Sequence, residues 1–95
     1  MIYSISYDLN QPGRNYNDLY STIKSAPGWI YAMDSFWFIS TNESVGTWSE
    51  RLRNAMDQND SLFVVDVTGQ PRQGWMPKAV WEWLEQHDRA RHRVF

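Results

Sequence analysis

The five residues Phe36-Trp37-Phe38-Ile39-Ser40 are apolar on both side-chain parities. Successive side chains of a strand point to opposite faces, so a run of this kind must be covered on both sides. It reads as a central strand, and that constrains the rest of the chain. Residues 29–33, also rich in β-formers, precede it across a tight turn at Asp34-Ser35, and the two runs make a hairpin.

The opening stretch Ile2–Asp8 alternates. Tyr3, Ile5 and Tyr7 share one face; Ile2, Ser4, Ser6 and Asp8 share the other. The turn Leu9-Asn10-Gln11-Pro12-Gly13 follows. A first helix is expected next, with Asn15 as N-cap, Asp18 in its first turn, and Tyr16, Leu19, Tyr20 and Ile23 on one apolar face. Pro27-Gly28 stops it. A second helix is expected after the hairpin, capped by Thr41 or Asn42, with Val45, Trp48, Leu52, Ala55 and Met56 as its stripe. Asp57-Gln58-Asn59-Asp60 ends that helix, and residues 61–67 read as a fourth strand. A loop holding Gly69, Pro71 and Gly74 leads to Pro77 and a third helix with Met76, Val80, Trp83, Leu84 and His87 along one face.

The order strand, helix, strand, strand, helix, strand, plus a terminal helix, predicts an α+β ferredoxin-like split βαβ sandwich. Residues 1–87 are expected to form the domain and 88–95 a basic tail. The first and third strands are expected side by side and parallel at the centre, with two helices on one face. The other face is left bare for a partner or for the Trp-rich third helix.

Ninety-five residues make one domain. With no cysteine, disulfides, thiolate zinc sites and a Cys nucleophile are excluded. No leader pattern and no membrane-length apolar run is present, so a soluble cytoplasmic protein is expected. Residues 1–70 carry four Lys/Arg against eight Asp/Glu, whereas residues 71–95 carry five against three. An acidic body with a basic end suits a nucleic-acid arm or a solvated tail.

Asp8 ends the first strand and is the one candidate for chemistry. In the parallel arrangement it would lie near Ser40, Thr41 and Asn42, a set of hard oxygen ligands that suits magnesium or calcium. One carboxylate is thin for an ion, but a two-fold axis would bring a second. From spacing alone, a structural role comes first: Asp8 would cap the 10–13 turn. Asp66 should lie opposite the start of the first strand, too far from Asp8 for a dyad. His87 and His92 have the wrong spacing for a helical metal pair, and no phosphate-binding glycine loop is present. Core packing accounts for Trp29, Trp37 and Trp48, and Trp83 falls on the helical stripe. Trp75 and Trp81, interleaved with Arg72 and Lys78, are the candidates for exposed contacts.

Several short blocks agree in order and spacing with a known pattern. They are Tyr7-Asp8-Leu9, then Pro12-Gly13-Arg14, Tyr16, Leu19-Tyr20 and Ile23. Asp34-Ser35 with Trp37-Phe38-Ile39 and Thr41 follows, and then Asp60-Ser61-Leu62-Phe63-Val64 with Val67-Thr68-Gly69. Over residues 1–69 the chain resembles the SinR-like branch of the CRISPR-associated protein 2 superfamily. The resemblance implies a ferredoxin-like homodimer that is a magnesium-dependent endonuclease on RNA or DNA, or an adaptor that binds nucleic acid without cutting it. It implies that Asp8 holds the metal at the dimer interface. Where CRISPR-associated members add a fifth strand, this chain has the Gly/Pro loop and a Trp-rich helix. On this reading Arg72, Lys78, Arg89, Arg91 and Arg93 would meet phosphates. The alternative is a non-catalytic module that docks a protein partner.

Overall fold

A computed structural model describes residues 1–88. The elements run β1 (Ile2–Asp8), α1 (Asn17–Ile23), β2 (Gly28–Met33), β3 (Phe36–Ser40), α2 (Val45–Arg53), β4 (Ser61–Asp66) and α3 (Lys78–His87). They form one four-stranded sheet in the order β2-β3-β1-β4, the ferredoxin-like arrangement with a terminal helix added.

The expected direction of the central pair is corrected: β1 and β3 are antiparallel, with Ile2 opposite Ser40 and Ser6 opposite Phe36. The α1 crossover returns β2 in the direction of β1, and the two-residue turn at Asp34-Ser35 then reverses the chain. The strand inserted between β1 and β2 therefore opposes both, and every neighbouring pair in the sheet is antiparallel.

Strand alternation sorts the side chains into two cores. Tyr3, Ile5, Trp37 and Ile39 meet Leu19 and Ile23 of α1 and Trp48 and Leu52 of α2. On the other face, Ile2 and Phe38 meet Ala32 of β2 and Val80 and Leu84 of α3. This explains why β3 is apolar on both parities: its two faces enter different cores. Trp83 belongs to the second core too, stacking on Phe38 and on His87.

Local chemistry departs from expectation at the helix starts. α2 is capped by Ser44, whose Oγ accepts from the Thr47 N–H at 3.1 Å. Thr41 is drawn inward instead, and its Oγ1 accepts from the Glu43 N–H and the Trp48 indole N–H. Asn15 does receive the Asn17 N–H at 2.8 Å, although Tyr16 holds the N-cap position. Val45, expected on the buried stripe, is exposed.

Gly28 lets α3 close on the sheet. A Cβ there would lie 3.0 Å from His87 Nε2 and 3.1 Å from Ser40 Cβ. The His87 ring is a side-chain tip and can yield, but Ser40 Cβ is fixed to the neighbouring strand. Restricting the unfolded chain would offset some of the clash, by about 0.4–1 kcal/mol. Overpacking costs more, roughly 1–3 kcal/mol. Gly28→Ala is therefore expected to lower the thermal midpoint in a calorimetric melt; a raised midpoint would contradict this packing.

Candidate functional site

The antiparallel register moves Asp8 away from its expected neighbours. Asp8 lies opposite Ser61 of β4, whereas Ser40 lies opposite Ile2. Six residues of strand, about 20 Å at the usual rise, separate them. The oxygen cluster of Asp8 with Ser40, Thr41 and Asn42 does not form. Asp66 stands opposite Tyr3, as expected. Its carboxylate accepts from the Thr68 hydroxyl at 2.6 Å and the Thr68 N–H at 2.9 Å. Those two bonds, the hydroxyl's first, hold its pKa below the ordinary carboxylate value against the effect of burial.

Asp8 does not cap its turn either. That task falls to Asp60, nearly buried at the start of β4. Asp60 Oδ1 accepts from the Asn10 N–H at 2.7 Å and the Tyr16 hydroxyl at 2.9 Å, and Oδ2 accepts from the Asp57 N–H at 2.8 Å. Asn10 also donates to the Asn59 carbonyl, and Arg14 pairs with Asp57 at 3.3 Å. The 9–14 loop is thus latched to the 57–60 turn, and the Asp8 side chain is left exposed at the strand end. Ser6, Ser61 and the exposed Phe63 lie beside it.

Among the described residues, no three His, Asp or Glu side chains come together as a metal cluster. A single chain therefore offers a divalent ion one carboxylate and nearby hydroxyls. Those are hard donors of the right type but too few, so the set fits such an ion only with a second copy of Asp8 across a two-fold axis.

The basic candidates separate. Arg72 is spent on the fold: it donates to the Val67 carbonyl at 2.7 Å, the Gln70 carbonyl at 3.1 Å and Asp88 at 3.0 Å. Asp88 also accepts from the Gly69 N–H, so it belongs to the folded body and not to the tail. Lys78 is exposed. Arg89, Arg91 and Arg93 lie outside the described residues, as does His92. Arg14, Arg51 and Arg72 pair with carboxylates, and Arg53 donates to the Asp57 and Gln58 carbonyls. Among the described residues, Lys24 and Lys78 are the cations bound in neither way.

Two aromatic surfaces frame the sheet. Trp75 is 99% exposed and rims a cavity of about 300 Å³ formed with Phe36, Val67, Pro71, Met76 and Trp81. Trp29, expected in the core, instead stands exposed beneath the Lys24 ammonium. A second feature that sequence reasoning missed is an open cleft of about 450 Å³ between α1 and the β2–β3 hairpin. Tyr7, Tyr20, Lys24, Tyr31, Asp34 and Trp37 line it. The one available signal was tyrosine in place of phenylalanine at apolar positions, since a tyrosine hydroxyl needs water or a partner. Among the described residues, no helix is long and apolar enough to cross a membrane. Compared with models of known protein families, the chain matches none, and no curated protein matches it.

Proposed function

We propose that two copies of this chain associate into a cytoplasmic, nucleic-acid-binding homodimer of the CRISPR-associated protein 2 kind, in which paired Asp8 carboxylates hold one magnesium ion and act on a phosphodiester. The reading is carried by one observation: Asp8 stands exposed at the strand end while Asp60 performs the turn-capping that would otherwise account for it. The ferredoxin-like topology and the sequence resemblance support it. A magnesium ion bound there would polarise a phosphate oxygen or lower the pKa of a water. Lys78, Arg89, Arg91 and Arg93 would supply charge for the phosphates.

The test is cleavage of single-stranded RNA and DNA with magnesium, run beside light scattering. Wild type is expected to be dimeric and to cut. Asp8→Asn is expected to lose about 100-fold or more of the rate, as when a charge-stabilising group is removed. Its melting curve should be unchanged, because the side chain is exposed. Cleavage that persists in Asp8→Asn would overturn the assignment.

The exposed Trp75 and its groove favour a second reading, a non-catalytic module that docks a protein partner. EDTA would leave its association intact, and Trp75→Ala would weaken it.

A further inference from the structure

We propose that the cleft between α1 and the β2–β3 hairpin receives one unpaired nucleobase of a single strand, stacked on Tyr31 with the inclined Tyr20 ring at its side, with Asp34 accepting from the base edge and Lys24 meeting the adjoining phosphate. This deepens the nucleic-acid reading and rests on it.

The cleft is walled by π-faces that are already positioned. Trp37 is fixed at the bottom by its indole N–H, which donates to the Tyr7 hydroxyl at 2.9 Å. Tyr31 meets it edge-on at 5.2 Å between centroids, and Tyr20 lies nearly parallel to it at 6.3 Å. Tyr31 is half exposed and lines the open cleft. Such rings accept any base, because every base has a π-face.

The polar groups select a nucleotide among planar ligands. The Tyr31 hydroxyl donates to Asp34 Oδ1 at 2.6 Å, which steadies the carboxylate and leaves acceptor sites on it for amino or imino hydrogens. That bond, with burial second, also raises the Tyr31 pKa, so the hydroxyl stays a donor at neutral pH. Lys24, across the mouth, carries a positive charge that repels a cationic side chain and attracts a phosphate. The wall beside it is the hairpin turn, in which Ser35 holds the φ of +59° that a two-residue reversal calls for, while its carbonyl accepts from the Tyr7 N–H at 3.1 Å. Tyr7 and Asp8 are adjacent on β1 and face opposite ways. The cleft and the Asp8 carboxylate therefore lie on opposite faces of the same end of the sheet.

The experiment is titration of a 5′-labelled single-stranded hexanucleotide by fluorescence anisotropy in EDTA, where metal chemistry is silent. Tyr31→Ala is expected to weaken binding by about 5- to 100-fold, the range for losing one stacking platform. Tyr31→Phe keeps the ring and should stay within about threefold of wild type. Lys24→Gln should reduce the slope of log K against log salt by about 0.7, one phosphate's share on a single strand. Circular dichroism confirms that each variant folds. If wild type binds the hexanucleotide and Tyr31→Ala and Lys24→Gln bind it equally well, the cleft assignment fails while the nucleic-acid reading stands. If wild type does not bind at all, both fail. Uptake of a trimethyllysine peptide in place of the oligonucleotide would also overturn the proposal.

Discussion

Replacing Trp48 by alanine is expected to cost about 3–5 kcal/mol, the range for emptying a large buried aromatic site. Trp48 is 1% exposed and is among the largest side chains fully inside the protein. It stands where α2 meets Tyr3, Ile5 and Ile39, so its removal opens a void between a helix and the two central strands. Its indole N–H donates to Thr41 Oγ1 at 3.1 Å, and the Arg51 guanidinium lies 4.7 Å from its ring. Small domains keep only about 5–15 kcal/mol in total, so the loss is a large share. A fall of roughly 15–30 °C in the thermal midpoint follows at this chain length. Trp48→Phe keeps most of the buried area and loses the indole bond. The Glu43 N–H still satisfies Thr41 Oγ1, so a cost of about 1–2 kcal/mol is expected. Urea unfolding of both variants checks the pair. A Trp48→Ala midpoint close to that of wild type would mean that α2 is not the lid of this core.

The elements were legible because each follows a local periodicity. The two-sided apolar run of β3, the alternation of β1 and the helical stripe holding Leu19 and Ile23 needed nothing beyond neighbours in sequence. Strand direction was not local. It follows from tracing β1, α1, β2 and the Asp34-Ser35 reversal together, and one error there moved Asp8 by the length of a strand. The identity of the turn cap was equally hidden. Asp60 and Asn10 are fifty residues apart, and no spacing rule links them. The same holds for the cleft, whose side chains come from β1, α1, β2, β3 and the hairpin turn. Each one looked like an ordinary core or surface residue where it stood. Trp29 illustrates the limit: an aromatic on an edge strand packs or projects according to what lies opposite, and here it projects.

Asp60→Ala is the second large effect expected, and it links stability to the site. The substitution strips the Asn10 N–H, the Asp57 N–H and the Tyr16 hydroxyl of their acceptor at once. An unsatisfied buried donor costs about 1–3 kcal/mol; because water can reach the opened loop, roughly 3 kcal/mol in total is expected. Asp60→Asn retains one acceptor oxygen but turns an NH₂ group toward donors, and should cost somewhat less. The pH dependence separates charge from shape. Burial raises the Asp60 pKa, but the Asn10 and Asp57 N–H groups, the Tyr16 hydroxyl and the nearby Arg14 charge outweigh it, so the folded value lies below the ordinary one. A carboxylate depressed in this way stabilises the fold fully above its unfolded pKa of about 3.9 and loses that contribution as pH falls through the folded value. The gap in urea midpoint between wild type and Asp60→Asn should therefore be widest at pH 6–7 and narrow below about pH 4. A gap independent of pH would show that the carboxylate's charge contributes nothing. Because Asp60 anchors Asn10, two residues after Asp8, the same variants should loosen the 9–14 loop. Amide exchange at Asn10 is then expected to quicken beyond what the global loss of stability accounts for, since an anchored loop and the strand end it follows open as one local unit.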